Sequence, residues 1–326
     1  LTEKQTRVAL IGAGDFGRNH ARVYRELSGA ELVAVVDANA DRARSVAAEF
    51  GAQAQTDYRA ILGQVDAVSL AVPTVEHARI GCDLLACGVD VLVEKPMAAS
   101  VEEADQLLAA AERNGRILQV GHLERFNPAV IAAHAVVSKP LFFEAHRLGV
   151  FTPRSLDVDV IYDVMIHDLD ILLALAQSSV VDLKGVGIPV VTNKVDIAHA
   201  RMEFATGAVA NVTASRVSTE RVRKMRFFQE HEYISLDYTR QDALRIRVTE
   251  TAPQPQFAFE KLATTPEEPL KAELRAFLDA VRTRRAPLVD GAAGRRALEL
   301  ASRVMASILE HAGRVQMDAP VPQARG

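Results

Sequence analysis

A G-x-G-x-x-G pattern, GAGDFG, stands at residues 12–17, directly after the short apolar run RVALI at 7–11. Gly12 permits a tight turn, Gly14 lets backbone approach a phosphate, and Gly17 lets the following helix pack on the strand. Asp15 and Phe16 lie between them, where that helix begins. A helix N-terminus gathers unpaired N–H groups, so such a turn suits an anion. Taken alone, the pattern also fits any tight strand-to-helix turn. Here Asp37 ends the next apolar run, 20 positions after Gly17. A carboxylate at that place bonds the ribose hydroxyls of an adenosine and repels a 2′-phosphate. Ala38 and Asn39 supply no cation, and Arg42 and Arg44 read as surface charges of the next helix. The combination predicts a dinucleotide site that favours NAD over NADP.

Two further stretches bear on chemistry. Glu94-Lys95-Pro96 closes the apolar run at 89–93. Ligands of open α/β sheets lie beyond the carboxyl ends of the strands, which puts Lys95 where cofactor and substrate meet. A lysine there hydrogen-bonds a substrate hydroxyl and, if burial lowers its pKa, helps to remove the proton. The bland alternative is a surface lysine at a strand end. Pro96 predicts a fixed turn, with a cis bond in reach. The second stretch is DVMIHDLD at 163–170. Asp163 and His167, four apart, stack on one face of an α-helix. Histidine titrates near neutrality and a carboxylate beside it orients the ring or raises its basicity, which suits a proton acceptor for an alcohol. The alternative is an ordinary surface pair. His122, His146 and His231 show no ligand spacing with cysteine, so no metal is expected.

The elements that must hold these residues alternate in the first half. Short apolar strands at 7–11, 31–36, 66–72, 89–93 and 117–120 are separated by helical patterns at 16–27, 40–50, 76–87 and 101–114. Ser100 and Glu103 form a capping box for the last of these. Near-continuous apolar strands with intervening amphipathic helices predict a doubly wound parallel sheet covered on both faces. After about residue 122 the pattern changes. A strand at 141–148 and a helix at 163–175 precede strands at 180–191, 196–204, 208–217, 224–229, 232–237 and 243–248. Runs of strands predict a second, largely antiparallel open sheet. Residues 251–269, with four prolines, read as loop, and helices at 271–282 and 291–311 follow. The expected division is a dinucleotide-binding domain at 1–121 and a substrate-binding α+β domain at 122–326.

Composition agrees with a soluble globular protein. The 326 residues allow about two domains, and 49% apolar with 25% charged residues is ordinary for a globular chain. A net charge of −4 gives no reason to expect nucleic acid or a membrane surface as partner. No apolar run reaches the length of a spanning helix, and no secretory signal is visible, so a cytoplasmic location is expected. The two cysteines, Cys82 and Cys87, share one helical pattern about 7 Å apart along its axis and read as two buried, unpaired thiols.

With GAGDFG, Asp37, EKP and D-x-x-x-H in this order, the chain resembles the Gfo/Idh/MocA family of oxidoreductases over essentially its whole length. The resemblance implies a Rossmann domain followed by an open-sheet domain that builds a homodimer or homotetramer. It implies NAD as cofactor, bordered by Gly12, Gly14, Asp15, Phe16, Gly17, Asp37, Pro73, Thr74, His77, Glu94 and Lys95. It implies Lys95, Asp163 and His167 as the catalytic group. The stretches GHLERFNP at 121–128 and RSLDVDV at 154–160 are similar to the branch that oxidises the C3 hydroxyl of UDP-N-acetylglucosamine in lipid A assembly. That branch implies a sugar nucleotide bound by Arg125, Asn127, Arg147, Arg154, Asp163 and His167. Arginine suits a diphosphate because its planar fork donates two hydrogen bonds. Pairing of these arginines with Glu124, Asp157 or Asp159 is the alternative. The basic residues Arg216, Arg221, Arg223, Lys224 and Arg226 fit a strand face or interface better than a phosphate site. A polyol or free-sugar dehydrogenase of the same family is the second reading, and an NAD-binding regulatory protein is the third.

Overall fold

The computed structural model describes residues 5–153, 158–250 and 254–315. The chain forms two compact units, Leu1–Phe126 with Glu267–Leu298, and Asn127–Pro266 with Glu299–Gly326.

The first unit holds β1 (Thr6–Ile11), α1 (Asp15–Glu26), β2 (Ala30–Val36), α2 (Ala40–Phe50), β3 (Gln53–Gln55), β4 (Ala67–Leu70), α3 (His77–Ala86), β5 (Asp90–Glu94), α4 (Val101–Asn114) and β6 (Leu118–Gly121). Its six strands run in the order β3-β2-β1-β4-β5-β6, every pair parallel. The apolar strands account for this: β1, β4, β5 and β6 are buried almost throughout, which requires cover on both faces. The short edge strand β3 has no apolar pattern and is held by its register with Ala34–Val36. Ser100 Oγ caps α4 by accepting Glu103 N–H, and Glu103 reaches back to Ala99 N–H. Cys82 is half-buried, and Cys87 ends α3 exposed, so the expected pair of buried thiols is not observed.

The second unit holds α5 (Pro128–His134), β7 (Phe142–Leu148), α6 (Ile166–Ala176), β8 (Val180–Ile188), β9 (Ile197–Phe204), β10 (Val209–Ser215), β11 (Val222–Gln229), β12 (Glu232–Asp237), β13 (Asp242–Glu250) and β14 (Gln256–Lys261). Eight strands form one mixed sheet, β14-β13-β12-β11-β7-β10-β9-β8, in which only β7 and β10 pair parallel. One face is core: Phe143 packs between Phe204 and Phe227, ring centroids 6.3 and 5.7 Å away. The other face carries Phe142, Phe228, Tyr233, Ile246 and Phe259 in one cross-strand row, half-buried or exposed. The expected loop at 251–269 is corrected by β14. Phe257 and Phe259 alternate within it, and Pro255 and Pro266 flank the strand without interrupting it.

Two helices close the chain, α7 (Pro269–Thr283) and α8 (Gly291–Val315). The single division expected at 121/122 differs from the observed one, because 267–298 return to the first unit. The apolar stripe of α7 explains the return: Leu270, Leu274, Phe277, Leu278 and Val281 share one core with Ala21, Val23 and Tyr24 of α1. No described helix is long and apolar enough to cross a membrane.

Candidate active site

The glycine turn is built by close packing. Gly12 has φ of +98°, and a Cβ there would lie 2.3 Å from Ala71 O. A Cβ on Gly17 would lie 1.8 Å from Gly12 O. Gly14 is different: nothing lies within 4 Å of its missing Cβ, so the space before the turn is open. Gly14 is the N-cap of α1 and supplies no side-chain cap, which leaves first-turn N–H groups for an anion. Asp15 and Phe16 are exposed in that first turn. This turn fits the diphosphate of a dinucleotide.

Asp37 ties the turn to the second strand. Its Oδ2 accepts Ala13 N–H at 2.8 Å, and its Oδ1 accepts Asn39 N–H at 2.8 Å. Arg42 Nε stands 3.2 Å from Oδ2, so Arg42 is a partner of Asp37 and not the simple surface charge expected. Arg44 pairs with Asp41, as a surface charge does.

The carboxyl ends of β4 and β5 hold the next group. Pro73 is exposed, Thr74 opens a short 3-10 turn, and His77 begins α3 with its ring buried. His77 Nδ1 lies 3.0 Å from Pro96 O and Nε2 lies 2.9 Å from Val72 O. Burial pushes the ring below its ordinary pKa, against the pull of those carbonyls. The ring therefore braces the two loops from inside. The Lys95–Pro96 peptide is cis. Glu94 is buried, and its Oε2 accepts Lys95 N–H at 3.3 Å.

In the second unit, Asp163 lies in a π-helical turn, Ile161–Met165, and His167 in the first turn of α6. The single α-helix expected from 163 is thus corrected. Ile166 N–H bonds back to Ile161 O, and the wider turn rotates Asp163 relative to an α-helical path. Such turns occur often at functional sites. The segment before it is anchored by Val195 N–H, which donates to Asp159 Oδ1 at 2.8 Å. Next to Val195, Asp196 Oδ2 accepts N–H from Val190, Val191 and Thr192 at 2.7–2.8 Å. Burial works to raise the Asp196 carboxyl, and these N–H groups outweigh it, so its pKa lies below the ordinary range.

The arginines and Asn127 divide by geometry. Arg147 is buried and bidentate with Asp168, Nε–Oδ2 2.8 Å and Nη2–Oδ1 2.9 Å, with its guanidinium 4.7 Å over the Tyr238 ring. It clamps β7 to the turn bearing His167, so its fork is engaged and the expected phosphate contact is replaced by an ion pair. Asn127 is buried too: Oδ1 caps α5 through Ala129 N–H, and Nδ2 donates to Tyr238 O. Its amide serves the fold. Arg125 is half-buried in a 3-10 turn, Leu123–Phe126, and Arg154 lies outside the described residues. In the basic stretch, Arg216 is buried beside Asp196, Arg226 pairs with Glu144, and Lys224 lies 3.9 Å from Asp237. Among the described residues no group of three His, Cys, Asp or Glu is placed to hold a metal.

Residues 6–122 match the model of the GFO/IDH/MocA oxidoreductases with NAD-binding Rossmann fold, and residues 130–235 match that of the GFO/IDH/MocA C-terminal domain. The chain is 40% identical over 306 residues to UDP-N-acetylglucosamine 3-dehydrogenase of Acidithiobacillus ferrooxidans, spanning 93% of this chain and 97% of that one. The chain belongs to the GFO/IDH/MocA oxidoreductase family. A solved structure of that A. ferrooxidans enzyme has a TM-score of 0.87 at 38% identity, over 93% of this chain and 98% of the other. Scyllo-inositol 2-dehydrogenase (NAD(+)) of Bacillus subtilis is 30% identical over 236 residues, 66% of this chain and 69% of that one. Levoglucosan dehydrogenase in complex with NADH and levoglucosan, at 20% identity, shares the fold with a TM-score of 0.85 over 94% of this chain and 98% of the other.

As a GFO/IDH/MocA member, the chain is an NAD-dependent oxidoreductase. Its fold adds contacts that the sequence did not show. Asp196 holds the loop at 190–192, and Arg42 meets Asp37. His20 sits buried beside Glu94. For His20 a signal exists in the sequence. It falls on the buried stripe of α1 with Gly17, Ala21 and Tyr24, where a polar ring needs a partner.

Proposed function

We propose that this chain oxidises the C3 hydroxyl of UDP-N-acetylglucosamine to the 3-keto sugar nucleotide. The carrying observation is the 40% identity to a UDP-N-acetylglucosamine 3-dehydrogenase, which runs through both units. NAD, when bound, accepts the hydride from C3. The first-turn N–H groups of α1 hold its diphosphate, Asp37 its adenosine ribose, and Pro73, Thr74 and Glu94 border it. His77 shapes that border through the loops it braces. Lys95 donates a hydrogen bond to the reacting oxygen, His167 takes the hydroxyl proton, and Asp163 orients the imidazole. Arg125 and Arg154 are the cations we assign to the diphosphate of the sugar nucleotide. The product ketone is suited to an amination step, and we propose lipid A assembly as the route that uses it. We propose the exposed row of the second sheet as the contact between copies of the chain. Eight strands about 4.8 Å apart give a face about 34 Å across, wide enough for the roughly 1,600 Å² that a stable interface buries.

The test pairs the chain with NAD, an amino donor and a transaminase that removes the ketone, and follows NADH absorbance. UDP-N-acetylglucosamine, free hexoses and inositols are compared. Turnover with the nucleotide sugar is expected, with NADH bound more tightly than NADPH. Oxidation of myo-inositol or glucose without reaction or binding of UDP-N-acetylglucosamine overturns the substrate. Lys95→Ala and His167→Ala are each expected to lower turnover by about 100-fold or more while NADH still binds.

A further inference from the structure

We infer that His20 is a positioning residue for Lys95, acting through the Glu94 carboxylate; this rests on the role proposed for Lys95. His20 lies on α1, three residues beyond Gly17, and its ring is fully buried. Its Nε2 stands 3.1 Å from Glu94 Oε1, within ion-pair distance but outside hydrogen-bond geometry. Phe16 meets the ring edge-on, centroids 5.2 Å apart. The second oxygen of the same carboxylate accepts the Lys95 N–H. One buried group thus touches both the helix that opens the glycine turn and the backbone of the lysine.

The surroundings leave that carboxylate little choice. A Cβ on Gly121, the last residue of β6, would come within 2.6 Å of Oε1 and 2.8 Å of Oε2. Glycine at 121 therefore makes the room in which Glu94 reaches His20. A second acid, Glu273 of α7, is fully buried nearby, and burial followed by the Glu94 charge pushes its carboxyl well above the usual range. It offers Glu94 no opposite charge. A buried carboxylate without a partner is costly and finds another rotamer or takes up a proton. The imidazole is the polar ring that stands 3.1 Å from its Oε1, and keeping the carboxylate in this place is the task assigned to it. A ring serving only as core filler would be better replaced by leucine, which packs without a polar atom to satisfy.

His20→Leu, His20→Gln, Gly121→Ala and Lys95→Ala, each in the full chain, test this with the sugar oxidised fastest in the panel above. Small misplacements of catalytic groups cost up to about 100-fold, so His20→Leu is expected to lower kcat by about ten- to 100-fold, with the Kd for NADH changed less than about threefold. His20→Gln carries an amide donor near the Nε2 position and is expected to restore most of the kcat. Gly121→Ala pushes the carboxylate aside without touching His20 and is expected to reproduce the loss. Should His20→Leu fail to fold, the other two variants decide. Normal kcat in Gly121→Ala, or a large kcat loss in His20→Gln, overturns the inference when Lys95→Ala is inactive. Near-normal turnover of Lys95→Ala overturns the reading of the lysine itself, and this inference with it.

Discussion

Asp37 shows how one side chain can fasten the fold at the place where the proposed function puts the cofactor's ribose. Its carboxylate bonds the backbone at Ala13 and Asn39, which fixes the glycine turn against β2, and Arg42 rests on it from α2. Glu273 is the opposite case, a carboxyl that serves neither. Among the described residues neither of its oxygens finds a hydrogen-bond partner. Burial, then the charge of Glu94, raises its pKa well above the ordinary 4.5. The folded chain therefore keeps the proton that the unfolded chain loses as pH rises past that value. The stability is fully present at lower pH and falls by about 1.4 kcal/mol per pH unit until the folded pKa is reached. Glu273→Gln copies the protonated carboxyl and cannot ionise. Its melting temperature is expected to match the parent chain near pH 5 and to exceed it by a margin that grows as the pH rises. A margin independent of pH sinks this account.

At the scale of elements, the turn bearing His167 is held from two sides. The Asp159 hydrogen bond fastens the residues before the π turn to Val195, and the Arg147–Asp168 pair fastens the start of α6 to β7. Removing one partner of a buried pair leaves an uncompensated charge and costs about 3–5 kcal/mol, whereas replacing both by apolar groups is often neutral. Arg147→Met is expected to lose stability of that order in urea unfolding, and Arg147→Met with Asp168→Leu to recover a large part of it. A phosphate-binding role predicts the reverse pattern: unchanged unfolding and a raised KM for the sugar nucleotide. The same scale explains β14. Alternating Phe257 and Phe259 make an edge strand between prolines that punctuate, rather than fill, the segment.

For the whole molecule, the row from Phe142 to Phe259 is the feature that asks for a partner. Phe142 and Phe228 rings lie 5.8 Å apart, and Phe228 and Tyr233 rings 5.0 Å apart, on the sheet face away from the core. Phe259 is 70% exposed. The proposed contact between copies rests on this row. The proposed assembly predicts a dimer or tetramer by light scattering, and a monomer when Tyr233→Glu and Phe259→Glu are combined, since a charge in an interface centre costs several kcal/mol. A monomeric parent chain would remove the proposal.

Local order along the chain determined the dinucleotide turn, Asp37, the parallel sheet and the change to a second sheet. Each depends on neighbours within a few residues: glycine where backbone must approach backbone, continuous apolar strands where both faces are covered, caps where a helix begins. The D-x-x-x-H and EKP motifs stood out in the same way. What those residues touch was decided by tertiary structure, because partners distant in sequence are chosen by packing. Arg147 read as well for a phosphate as for an acid until the fold put Asp168 within 2.9 Å. Asn127 became a cap, and His77 became a brace between two loops. The return of α7 to the first unit was invisible to local patterning, since an apolar stripe shows that a helix is covered and not by which core. The π turn at Asp163 is likewise a tertiary choice, as its residues fit an α-helix equally well by spacing.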